Sequence, residues 1–95
     1  MLLSGGCCYD RVGGIVVVHI YNCSALKSSD RTLGTLPVGF RPTKAIEGSD
    51  DIGAIGFVTS LKASQFVRVY LDGRVTIGQI GDENREVSGQ VMFAV

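Results

Sequence analysis

The stretch FVRVYLDGRVTI, Phe66 to Ile77, decides the reading of this chain. Its apolar residues recur at every second position on both sides of Asp72-Gly73, the spacing of a half-buried antiparallel hairpin. A two-residue type I′ turn at Asp72-Gly73 would set Leu71 opposite Arg74 and Val69 opposite Thr76, mixing apolar and polar residues on both faces. A three-residue loop, Leu71-Asp72-Gly73 with Gly73 left-handed in a G1 bulge, instead pairs Tyr70 with Arg74, Val69 with Val75 and Val67 with Ile77. A slip of one residue exchanges the two faces of a strand, so the hydrophobic pattern selects the bulged loop. Val67, Val69, Val75 and Ile77 are then core, and Phe66, Arg68, Tyr70, Arg74 and Thr76 share the other face. Aromatics alternating with arginines are enriched where proteins meet, so that face is expected either under a neighbouring loop or against another protomer.

The same period of two extends along most of the chain. Gly14 to Tyr21 (GIVVVHIY) is β-branched and aromatic, as a strand packed on both faces would be. Further strands are expected at Thr32 to Leu36, Thr43 to Glu47, Ala54 to Leu61, Phe66 to Tyr70, Arg74 to Ile80 and Glu86 to Ala94. Asn22 to Asp30 reads as a polar loop, and no stretch has a convincing helical period. About seven strands with turn signals every ~8 to 12 residues are the pattern of an all-β protein, a small antiparallel β-sandwich of jelly-roll type without substantial helix. The 95 residues suffice for one domain, 1–95, with a lead-in segment 1–13 and a core over 14–95.

Both prolines fall in LPVGFRPTKAI, Leu36 to Ile46. Pro37 has no amide hydrogen to donate and ends a strand; Val38-Gly39 lets the chain reverse; Pro42 forces Arg41 into an extended conformation. Phe40, between them, is large enough to plug one end of a small core. Pro37, Gly39, Phe40, Arg41 and Pro42 therefore form a stiffened structural corner, which lowers the entropy lost on folding.

Nine basic and nine acidic side chains cancel, which leaves no electrostatic footprint for nucleic acid and no basic patch for a membrane surface. A neutral small domain also lacks repulsion between its own copies. The longest apolar run, Ile15 to Val18, is strand-sized, so membrane insertion is not expected. The opening MLLSGGCC lacks the basic start and apolar region of a signal peptide, and the setting expected is a reducing cytosol. Cys7, Cys8 and Cys23 agree with it: the count is odd and no CxxC spacing exists, so three reduced thiols are expected, with no metal site and no cofactor.

Catalysis finds little support. His19 is the only histidine and lies in an apolar strand, a place for a packed or interface residue more than for a general base. Asp50-Asp51 and Asp82-Glu83 supply two carboxylates each, short of the ~6 to 8 oxygens that a hard cation wants. No Gly-rich phosphate loop precedes a helix. The Asn22-Cys23-Ser24 triplet fits a glycosylation sequon that a bacterial cytosol would leave unused. No catalytic residue is assigned, and the chain is not expected to be an enzyme.

The order of features resembles the C-terminal domain of bacteriophage tail-fibre and baseplate receptor-binding, or tail-tip, proteins. In that family a Tyr and a basic residue precede a G-x-x-V-x-V strand, here Tyr9, Arg11, Gly13 and GIVVVHI. A polar loop then leads to an I-G-T-L-P-x-G-[YF]-R-P corner, here LGTLPVGFRP from Leu33 to Pro42, followed by V-x-V-x-x-D-G-x-V-x-I, here Val67 to Ile77. A final strand such as VSGQVMFAV completes the likeness, which spans nearly the whole chain; Cys7-Cys8 and Asp51-Ile52-Gly53 have no counterpart in the pattern. The resemblance implies a homotrimeric β-sandwich that recognises a host-surface receptor, often a saccharide, within a virion tail made in the bacterial cytoplasm, beside other tail or baseplate proteins. It leaves two expectations open, a C-terminal part of a longer fibre or baseplate protein or a complete small gene product.

If successive strands alternate in direction, the loops Asn22 to Arg31, Gly48 to Gly53 and Leu71 to Gly73 share one distal end. The expected receptor contacts are then Lys27, Ser28, Ser29, Asp30, Arg31, Ser49, Asp50 and Asp51, polar residues suited to a hydroxyl-rich ligand; polar residues are also what an ordinary solvated loop carries, and that plainer reading is the favoured one. The expected oligomer interface comprises His19, Phe66, Arg68, Tyr70 and Arg74. A purely structural module that caps or trimerises a fibre is the alternative. A monomeric carbohydrate-binding module of a bacterial enzyme is a further one, weakened by the absence of Trp.

Overall fold

The computed structural model describes residues 2–4, 7–61, 63–81 and 84–95, with side chains from Cys7 onward. These residues form strands and turns without helix: β1 (Leu2–Ser4), β2 (Cys7–Val12), β3 (Ile15–Ala25), β4 (Arg31–Thr35), β5 (Ile52–Thr59), β6 (Ser64–Tyr70), β7 (Arg74–Ile77) and β8 (Arg85–Ala94). All ladders are antiparallel, and the order across the sheet is β1-β2-β3-β8-β5-β6-β7-β4.

The expected two-layer sandwich is therefore replaced by one strongly curled sheet, a half-barrel. The reason lies at β8. It pairs with β3 along most of its length and also with β5, where Phe57, Val58 and Thr59 face Gln90, Gly89 and Ser88, so what would have been two sheets is stitched into one. Backbones approach closely at this short seam: a Cβ on Gly56 would lie 2.6 Å from the Gln90 carbonyl oxygen, and one on Gly89 would collide with that of Phe57. The sheet curls until its edge strands, β1 and β4, come within 8 Å of each other without a ladder between them among the described residues.

The hairpin forms in the bulged register. Val67 pairs with Ile77 and Val69 with Val75, all four fully buried on the concave side, and Gly73 has φ +94° with its N–H donating to the Tyr70 carbonyl at 2.9 Å. A bulge also re-phases β3, whose pairing with β8 shifts between Ile20 and Cys23 around Asn22 at φ +50°. Val16, Val18 and Ile20 point inward before the bulge, Cys23 and Ala25 after it. The strand thus continues through residues that sequence reading assigns to a loop, and Ile15, His19 and Tyr21 are exposed on its other face among the described residues.

Two further expectations are corrected. Thr43 to Glu47 is not a strand: the Ile46 N–H donates to the Ile52 carbonyl and its own carbonyl accepts from Ser49, so this backbone closes on its own loop and reaches no ladder. The segment 1–13 is more than a lead-in, because β2 pairs with β3 and buries Cys7 and Tyr9. The proline corner does form. Pro37 accepts from Phe40 N–H at 3.0 Å across a turn with Gly39 at φ +94°, Arg41 Nε donates to the Leu36 carbonyl, and Arg11 Nη1 donates to that of Gly39. The fully buried plug is Leu36; Phe40 is half-buried, edge-on to Tyr9 with ring centroids 5.3 Å apart.

Candidate functional site

Removing one strand reverses every later connection. With Thr43 to Glu47 out of the sheet, the loop after β3 lies at one end of the half-barrel, whereas residues 48–51 and 71–73 lie at the other beside the proline corner. Hydrogen bonds establish both placements. Lys27 N–H donates to Asn84 Oδ1 at 2.9 Å, Ile80 N–H to the Leu26 carbonyl and Gln79 N–H to Asp30 Oδ1 at 3.0 Å, tying loop 26–30 to Gln79, Ile80 and Asn84. Leu71 N–H donates to the Asp51 carbonyl, and Leu36 N–H to that of Gly73. Ser49, Asp50 and Asp51 are thus not neighbours of Lys27 to Arg31, and the expected single distal cluster is two separate groups.

Within the first group, the roles divide. Asp30 is engaged with the Gln79 amide, and Arg31, half-buried, donates from Nη1 to the Ser24 carbonyl at 2.8 Å. Both hold the loop in place. Lys27, Ser28 and Ser29 present their side chains to solvent. At the same end an open hollow of about 310 Å³ is lined by Ser60, Leu61, Asn84, Arg85 and Glu86. Leu61 is fully exposed there. Sequence reading missed these five, because they come from the end of β5 and the start of β8, and neither strand's own pattern says that the two lie side by side. The carboxylate pair Asp82-Glu83 lies outside the described residues.

In the second group, Ser49 Oγ accepts from the amides of Asp51 at 3.3 Å and Ile52 at 2.9 Å, a turn-stabilising arrangement that leaves Asp50 exposed. Nearby, the Arg74 amide and then its guanidinium, 2.9 Å from Asp72 Oδ2, hold the Asp72 carboxyl below its usual range. The same guanidinium lies 4.2 Å from the centroid of the Tyr70 ring. Arg74 is therefore occupied within its own hairpin.

The second candidate region is the convex face. His19 pairs with Gln90, Gln90 with Phe57 and Phe57 with Phe66, so four neighbouring strands bring these side chains into one lateral row. The Phe57 and Phe66 rings lie 5.0 Å apart and are 63% and 42% exposed. Of the expected interface residues, His19, Phe66, Arg68 and Tyr70 share this face, with Arg74 stacked on Tyr70; Ile55, Phe57 and Met92 join them, invisible in the sequence because β5 and β8 cannot be set beside each other from their own patterns.

Nucleophilic chemistry at Cys7 is opposed by its surroundings. Burial, then the neighbouring Cys23 and Cys8, push its thiol up to about 12 against the lowering effect of Arg31, so it stays protonated at neutral pH. Among the described residues, no cluster of three or more His, Cys, Asp or Glu side chains is placed to hold a metal ion. No protein-family model, curated protein or solved structure matches this chain.

Proposed function

We propose that this chain is a head domain of a bacteriophage tail-fibre or baseplate protein that recognises a host-surface receptor, with a saccharide as ligand and a homotrimer as the working form. The hollow beside loop 26–30 carries this reading. A sugar ring offers hydroxyls that need donors and acceptors and a CH face that needs apolar surface. Leu61 supplies apolar surface next to Ser60, Asn84, Arg85 and Glu86, with Lys27, Ser28 and Ser29 exposed at the same end. Such recognition is binding without chemistry, in the virion tail and beside other tail proteins.

A purely structural module is the second reading, favoured by the exposed Phe57 and Phe66 on the convex face. A glycan array probed with the fluorescently labelled chain separates the two. Retention on a subset of saccharides, lost in Glu86→Ala with an unchanged circular-dichroism spectrum, supports recognition. No retention on any saccharide rejects it in favour of the structural role.

A further inference from the structure

Three adjacent strands bring three hydrogen-bond donors into one line on the convex side. Arg68 pairs with Thr76 across the β6–β7 ladder, and Thr76 pairs with Thr32 across the β7–β4 ladder. Side chains opposed in this way leave the backbone roughly 4.5 to 5.5 Å apart. Alternation turns all three outward: Val67 and Val69 flank Arg68, Val75 and Ile77 flank Thr76, and Leu33 follows Thr32, each of these apolar neighbours being buried on the concave side.

We propose that Arg68, Thr76 and Thr32 bind an oxyanion, the charged oxygen group of a carboxylate, a sulfate or a phosphate. This site shares no residue with the hollow beside loop 26–30 and does not depend on a saccharide there.

The Thr76 hydroxyl is the first reason. Thr76 is only 6% exposed, and its Oγ1, shut off from solvent, has no hydrogen-bond partner among the described residues. A buried hydroxyl left unpaired costs free energy, so native proteins supply a partner in nearly every case. Its cross-strand neighbours on this face are the half-buried Arg68 and the exposed Thr32, and the strands form a single sheet. The hydroxyl therefore lies beneath side chains that can swing aside, not beneath a second layer of strands.

Charge is the second. The Arg68 guanidinium has no carboxylate partner among the described residues, whereas Arg74, the other cation of the hairpin, is neutralised by Asp72 at 2.9 Å. A half-buried positive charge attracts an anion more strongly than one held in open water. The third reason is the kind of donor. A guanidinium offers paired N–H groups that match two oxygens of a carboxylate, sulfate or phosphate, and the hydroxyls of Thr76 and Thr32 add donors beside it. The row itself contains no carboxylate to repel an anion. A water molecule would satisfy Thr76 but leave Arg68 uncompensated; an oxyanion answers both.

Nuclear magnetic resonance on the isotope-labelled whole chain tests this. Sodium sulfate, phosphate and acetate are titrated separately, with ionic strength held constant by sodium chloride. Saturating shifts at the amides of Arg68, Thr76 and Thr32 are expected with at least one ion; acetate alone would identify a carboxylate ligand, sulfate or phosphate a tetrahedral one. Thr76→Val, close in shape, should weaken binding about tenfold or more, the worth of one hydrogen bond to a charged group, with an unchanged circular-dichroism spectrum. Thr76→Ser, which keeps the hydroxyl, should retain it, and Arg68→Gln should abolish saturation. Shifts that never saturate with any of the three ions, the outcome for a hydroxyl held by water alone, would overturn the site. So would equal affinities for the wild type and a folded Arg68→Gln or Thr76→Val.

Discussion

The backbone of Gly89 runs so close to that of Phe57 that a single added carbon on Gly89 would collide with the Phe57 carbonyl oxygen. This contact sits at the three-pair ladder that joins β8 to β5, where the sheet turns from one half of its curl to the other. Gly89→Ala is expected to push the strands apart at a cost of about 1 to 3 kcal/mol, the usual range for overpacking. In a domain of this size each kcal/mol lowers the melting temperature by about 4 to 8 °C, so thermal denaturation reads it directly. An unchanged midpoint would remove the seam from the account of the fold.

Asp30 and Ser28 stand two residues apart in one loop and should behave differently. Asp30 accepts from the Gln79 amide, so Asp30→Ala should cost about 1 kcal/mol, the net worth of one hydrogen bond. Ser28 is exposed, and Ser28→Ala should stay within about 0.5 kcal/mol. Urea unfolding compares them; equal midpoints would mean that the Asp30 contact does not hold the loop.

Cys7 gives the fold an alkaline limit. Its thiol stands near 9 when unfolded and about 12 when folded, so the folded state holds the proton more tightly. The associated stability is complete below about pH 9 and is lost as pH rises from there toward 12, because the unfolded chain then releases a proton that the folded chain keeps. Cys7→Val should flatten the decline of the urea midpoint between pH 9 and 10.5. Parallel profiles for the two proteins would refute the linkage.

Much of the local structure was legible along the chain. In the hairpin of Val67 to Ile77 only one register puts every valine and isoleucine on the same face, so the bulged loop at Gly73 followed from the pattern alone. The proline corner was equally readable, since Pro37 and Pro42 restrict the backbone whatever surrounds them. Thr43 to Glu47 misled because a short stretch between turn signals, with Ala45 and Ile46 as its apolar residues, states at most that extended backbone is allowed and says nothing of a free edge to pair with. One absent strand then displaced Ser49, Asp50 and Asp51 to the end opposite Lys27.

By itself, then, the amino-acid order determined what depends on near neighbours: extended backbone, turn chemistry and the inward side of each hairpin. Only the tertiary structure decided that β8 lies between β3 and β5, and with it the single curled sheet, the hollow beside Asn84 and the lateral row from His19 to Phe66. Strand partners far apart in the chain are chosen by burial of the whole set at once, and no strand's own residues encode which stranger it will meet.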